Sequence, residues 1–230
     1  MHMSDGLVNA PTAAAFGFVA AVGLAVAATR ARADLDERTA PMAGLVTAFV
    51  FAVQMINFPI LPGASGHLLG GALVAILVGP WVGSLCVAIV LVVQALLFAD
   101  GGLTALGTNI TNMALVGTYT GIAVAFALRR VAARSRAGLV ATAFVAALVN
   151  TVVASLAFVL EYAIGGAGGA SLGTVFALMV GMHVLVGLGE GIITAATVAA
   201  VAAVRPDLVY LLRGTRPALV VRPAGGEAAR

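Results

Sequence analysis

The sequence predicts an all-α, polytopic membrane protein of seven transmembrane helices, with the amino terminus outside and the carboxyl terminus in the cytoplasm. Three observations carry that reading. Hydrophobic residues make up 62% of the 230-residue chain and charged residues only 9%, with a mean hydropathy of +1.12, which leaves too little charge to clothe a water-soluble surface. Apolar runs recur along the chain, divided by Gly, Pro and Arg. All twelve basic residues are arginine, and they fall only in alternate connections between those runs or beyond the last of them.

The spans read at 11–29, 41–58, 67–79, 81–98, 109–128, 139–160 and 172–204. Residues 67–98 form one apolar stretch far longer than the ~20 residues that cross a bilayer, and Gly79-Pro80 divides it. The long last run is kept whole. An eighth crossing would place Arg205, Arg213, Arg216 and Arg222 opposite the other arginines. With seven crossings, Arg30, Arg32 and Arg38 precede the second span, Arg129, Arg130, Arg134 and Arg136 precede the sixth, and the rest follow the seventh, all on one face. The positive-inside rule makes that face cytoplasmic.

The outer connections are then 1–10, 59–66, 99–108 and 161–171, rich in Gly and Pro and free of Arg. Small residues spaced as in Gly66 and Gly70, Gly117 and Gly121, and Gly187 and Gly191 suit close helix packing. Residues 1–204 are expected to form one seven-helix domain, and 205–230 a cytoplasmic tail that is partly disordered. No basic residue precedes Arg30, so the first run has no secretory n-region and the start of the chain is expected to be retained.

Composition also excludes functions. The chain has no lysine and hence no phosphate-loop lysine, so any ATP-driven process needs an ATPase on another subunit. The pI of 9.8 does not signal nucleic-acid binding, because the arginines sit in membrane connections. Cys86 is the only cysteine, which excludes a disulfide framework or a thiolate-rich metal site.

The most chemically specific feature is the opening Met1-His2-Met3-Ser4-Asp5-Gly6. A free α-amine, the amide nitrogen between Met1 and His2, and the His2 imidazole can chelate one metal through fused rings. The amide must lose its proton, so metals that bind nitrogen strongly are favoured, and planar coordination favours nickel or copper over zinc, with cobalt also admissible. His67, in Pro62-Gly63-Ala64-Ser65-Gly66-His67, offers a fourth nitrogen on the same face. The third span supplies only about 20 Å of helix against a ~30 Å hydrocarbon core, which sets His67 below the outer surface. Irregular chain at that depth needs a protein cover. Segment 1–10 is expected to fold inward as that cover.

His183 and Glu190 share one face of the last span. A polar lock between helices is preferred for them over a cation relay, since His183 is not evidently near the outer site. Gln54, Asn57, Gln94, Thr108, Asn109 and Asn112 could line the site or orient its ligands, but interhelical hydrogen bonding is the preferred reading and none is given an individual role.

These residues resemble the CbiM/NikM family, the substrate-binding membrane components of energy-coupling-factor ABC transporters for cobalt and nickel. The resemblance spans about 1–204 and rests on Met1-His2 with Asp5-Gly6, Ser65-Gly66-His67 with Gly70 and Gly71, Gly79-Pro80-Trp81, Gln94-Ala95-Leu96-Leu97-Phe98 with Asp100-Gly101-Gly102, Asn109 with Asn112-Met113, and His183 with Gly187, Gly189 and Glu190. It implies a metal site of Met1, His2 and His67, holding cobalt(II) or nickel(II) as transported substrate with no resident cofactor. Implied partners are membrane lipid, a transmembrane coupling protein, cytoplasmic ATPase subunits and a small accessory membrane subunit, in the cell membrane. Uptake would proceed by reorientation of the whole component, for cobalamin synthesis or for a nickel enzyme. Some cobalt-type members carry Ser-Cys-Ser-His where this chain has Ala64-Ser65-Gly66-His67, closer to the nickel type.

Two other classes compete. A membrane metalloenzyme is disfavoured, because no general base stands beside the ligands and four nitrogens leave no open position. A self-sufficient metal channel or proton-coupled carrier would use Glu190 and His183.

Overall fold

The computed structural model describes residues 1–214. The chain is mostly helical: α1 Ala10–Ala31, α2 Thr39–Gln54, α3 Gly71–Val78, α4 Pro80–Leu97, α5 Leu106–Ala127, α6 Arg129–Arg134, α7 Arg136–Gly165 and α8 Leu172–Val204. Side chains start the long helices. Asn9 accepts from the Thr12 amide at 3.0 Å, Ser135 from Gly138 at 3.0 Å, and Ser171 from Thr174 at 3.1 Å. Gly79, with φ of 90°, and Pro80 at the first position of α4 separate α3 from α4, as the sequence implied.

Five helices, α1, α4, α5, α7 and α8, are long and apolar enough to cross a membrane. Helix α2 is apolar with 16 residues, and α3 has only eight, about 12 Å of rise. Every residue of α3 is buried, so it is a central peg rather than a lipid-facing span. Large apolar side chains such as Phe18, Leu45, Ile89, Leu185 and Ile192 lie exposed on the outer surface of the bundle, the surface that lipid covers.

The structure corrects the expected boundaries. The second run leaves helix after Gln54, and the third enters it at Gly71 rather than at 67. The cause is a small antiparallel sheet, in a chain expected to be all-α: β1 His2–Met3, β2 Phe58–Leu61 and β3 Ala64–Gly66, ordered β1-β3-β2. His2 pairs with Ser65 and Met3 with Ala64. Pro59 sits on edge strand β2, where its missing N–H breaks no ladder bond. Helix α7 is longer than its run at both ends, and residues 110–117 of α5 are wound as a π-helix.

The described arginines gather at the end of the bundle away from this sheet. Arg129 donates to the carbonyls of Leu211, at 3.0 Å, and Arg213, while Arg213 reaches the Thr39 hydroxyl at 2.9 Å. Residues 206–208 and 210–212 form 3-10 turns, and Val209 between them and Leu211 in the second are buried, so the chain stays packed past 204. The remainder of the expected tail, 215–230, lies outside the described residues.

Candidate metal centre

The first nine residues are sewn into the bundle. Ser4 N–H donates to the Gly63 carbonyl at 2.9 Å, Gly102 N–H to the Met3 carbonyl at 2.8 Å, and Ala167 N–H to the Leu7 carbonyl at 2.9 Å. Asn109 grips the backbone of Met3 twice: its Oδ1 accepts from Met3 N–H at 2.8 Å and its Nδ2 donates to the Met3 carbonyl at 3.1 Å. Asp5 accepts from the amide and hydroxyl of Thr104 at 2.7 and 2.6 Å, which holds its carboxyl below the usual range. In consequence Met1 and Met3 are fully buried and His2 is 3% exposed.

That docking brings His2 against His67, with ring centroids 4.4 Å apart and planes inclined by 35°. His67 Nδ1 lies 2.8 Å from the Leu68 carbonyl, which can only accept, so Nδ1 carries the proton and Nε2 keeps a lone pair. His67 Nε2 and both ring nitrogens of His2 are buried without a hydrogen-bond partner. Three unpaired imidazole nitrogens in one place oppose folding and point to binding.

Burial, and then the neighbouring Met1 amine, hold the His2 imidazole well below the usual histidine range. Burial likewise holds the Met1 amine well below its ordinary value, against the opposing charges of Asp100 and Glu190. Burial thus favours the neutral form of both groups, the form in which they can ligate a metal. His2 Nε2 lies 3.6 Å from Asp100 Oδ2, an approach of a neutral ring to a carboxylate rather than an ion pair. Burial raises the Asp100 carboxyl, and Asn57 Nδ2 donates to it at 2.8 Å. Gly101, with φ of 86°, lets this loop lie flat on His2, since a Cβ there would stand 3.0 Å from Nδ1.

A cleft of about 690 Å³ lined by His2, Asn57, Ser65 and Asp100 connects the site to the sheet end of the bundle. The clefts of similar size between α2 and α4 and between α7 and α8 are lined mainly by apolar side chains and hold no histidine or carboxylate.

His183 proves closer than expected, within electrostatic range of the Met1 amine and of His67. Its Nδ1 lies 2.7 Å from the Met179 carbonyl, and its Nε2 is buried without a partner. Glu190 does lock helices together: it joins α8 to α7 and to the chain entering α3. Of the polar residues given no role, Asn109 grips Met3, Asn57 supports Asp100, Gln54 donates to the Leu69 carbonyl at 2.6 Å, and Asn112 donates to Glu161 at 2.7 Å. Long sequence separations hid these pairings. The only legible sign was polar residues recurring beside Gly-rich connections. Among the described residues, no three His, Cys, Asp or Glu side chains form a metal-ligand group, so a metal held here would need backbone nitrogen as well.

A bundle of lipid-facing helices that buries the start of its own chain beside unpaired imidazoles defines a multi-pass membrane protein with a polar site at one end. Comparison with known proteins makes this specific. The profile for the cobalt uptake substrate-specific transmembrane region matches residues 2–208, and the chain belongs to that family, CbiM. A protein of Archaeoglobus fulgidus, provisionally assigned as a fused nickel transport protein NikMN, is 39% identical over 91% of this chain and 68% of its own. The cobalt transport protein CbiM of Sorangium cellulosum is 33% identical over 94% of this chain and 97% of its own. A crystal structure of a transition metal transporter, 28% identical, covers 93% of this chain and 100% of its own with a TM-score of 0.82. The family is one of cobalt and nickel transport proteins, and this member is a multi-pass protein of the cell membrane.

Proposed function

We propose that the chain is the substrate-binding membrane subunit of an ATP-driven cobalt or nickel importer, and that it binds the ion through four nitrogens. These are the Met1 amine, the deprotonated amide of His2, His2 Nδ1 and His67 Nε2. The fused chelate rings require Nδ1 of His2, which leaves Nε2 directed to Asp100, the usual arrangement of a metal-bound histidine and its supporting carboxylate. The observation that carries the reading is the buried pairing of His2 with a His67 whose Nε2 lone pair is free. An all-nitrogen planar set suits nickel(II) and is compatible with cobalt(II), in keeping with the names of both relatives.

The cleft beside Asp100 would face outside and the arginine end the cytoplasm, with α2 and α3 completing seven passes and residues 1–204 forming the transport domain. The chain, having no lysine, would depend on separate cytoplasmic ATPase subunits, a transmembrane coupling protein and a small accessory membrane subunit. Such a subunit binds and delivers its ion without chemical change, so it is not itself an enzyme.

The test is nickel titration by calorimetry in detergent. Extending the chain ahead of Met1 with an uncleaved tag, or replacing His67 by Ala, should abolish binding. Wild-type affinity in both would end the proposal. Uptake by liposomes holding this chain alone would favour a self-sufficient carrier instead.

A further inference from the structure

Glu190 is buried in the middle of α8, and four donors converge on its carboxylate. Oε2 accepts from Leu69 N–H at 2.7 Å and from the Thr151 hydroxyl at 3.0 Å. Oε1 accepts from Gly70 N–H at 3.0 Å and from Asn150 Nδ2 at 3.0 Å. With two donors on each oxygen, both carboxyl oxygens are fully engaged as acceptors.

The two backbone donors follow His67 by two and three residues. Gln54 fixes the Leu69 carbonyl from the other side at 2.6 Å, and the Leu68 carbonyl takes the His67 Nδ1 proton at 2.8 Å. The chain from His67 to Gly70 is not helical, so these bonds replace the helical ladder that would otherwise orient it. Gly70 is left-handed, at φ of 80°, and a Cβ there would meet Val50 at 2.7 Å, so the segment has no slack in which to rotate.

We infer that Glu190 is the positioning residue for His67. Its bonds to the amides of Leu69 and Gly70 hold the non-helical backbone that carries the ring, and so fix where His67 Nε2 is presented. The inference rests on the four-nitrogen reading above.

The experiment compares Glu190→Gln and Glu190→Asp in the full chain, using nickel affinity, the nickel d–d absorption band, elution volume and melting temperature. Glu190→Gln keeps the shape but replaces one acceptor oxygen by an N–H₂ that faces donors. It should lower nickel affinity by about 10–100-fold and shift the band, with Glu190→Asp between it and wild type. A merely structural role would lower the melting temperature and leave the band of the bound ion in place. If Glu190→Gln does not elute as a folded protein, Thr151→Val thins the same clamp and should show a smaller loss of the same sign. Wild-type affinity and band in a folded Glu190→Gln, or in Thr151→Val where the first is not recovered, overturn the inference. If His67→Ala abolishes binding while these variants behave as wild type, the inference alone fails; if His67→Ala binds normally, the four-nitrogen reading has failed first.

Discussion

The two ends of the bundle treat polar groups in opposite ways. At the arginine end several charged groups find partners: Arg205 and Asp207 are bound at 2.8 Å, Arg38 approaches Asp207 at 3.7 Å, Arg129 ties the last turns to α6, and Arg213 ties them to α2. Those pairs are exposed or half-buried, where ion pairs contribute little. At the sheet end three imidazole nitrogens are buried without partners, beside an amine lowered and an acid raised by burial. The first arrangement holds chain ends in place. The second lowers stability and is intelligible only if binding restores what burial removes.

If the sheet end is held for binding, releasing its grip on the chain start should have a larger effect than any change at the arginine end. Asn109→Ala removes both hydrogen bonds to Met3 and leaves the buried Met3 N–H without its partner, a loss of about 1–3 kcal/mol. Because the ion needs the docked segment, apparent nickel affinity should fall by about tenfold. Calorimetry should show the loss, and limited proteolysis should show cleavage within residues 1–9 that wild type resists. Unchanged affinity with a protected segment would mean that Asn109 is a bystander to the site.

The same contrast marks what was legible. Long apolar helices, the break at Gly79-Pro80 and the segregation of arginine follow from composition and spacing, because the bilayer imposes one length and one charge rule on every span. His2 and His67 were also visible, as histidines in connections on the same side. The strands escaped notice because two to four residues show no period. Leu68 and Leu69 read as helix because they are apolar, although their backbone is bound by Gln54 and Glu190 instead. No local rule announces that Asn109 will meet Met3, or that a glutamate in the last span will hold the entrance to the third.

A smaller effect should follow from pH at the sheet end, where two bases and one acid pull in opposite directions. The Met1 amine and His2 have folded values depressed by burial. Below their ordinary values, about 8 and 6.5, the undocked segment binds more protons than the docked one, so docking weakens as pH falls. Asp100, raised by burial, acts the other way but only within the carboxylate range at lower pH. Hydrogen exchange of residues 2–8 in metal-free protein, corrected for intrinsic rate, should be severalfold less protected at pH 6 than at pH 8. Nickel affinity should fall in the same direction, since the amide must also lose its proton. Greater protection at pH 6 would show that the buried start of the chain is not held as a neutral base.

The smallest effect is expected where pairing is most complete to the eye. The Arg205 side chain holds the Asp207 carboxyl down at about 2, so its contribution is present above the usual carboxylate range and is lost only as pH falls through that value. Both partners are open to solvent, and screening leaves such a pair little weight. Asp207→Asn should therefore leave the melting temperature within error at pH 7, and nickel affinity unchanged, because the substitution lies at the opposite end from His2 and His67. A drop in nickel affinity in this variant, with the fold intact, would mean that the arginine end communicates with the imidazole pair. The two ends would then be halves of one device, and the division between a holding end and a binding end would have to be abandoned.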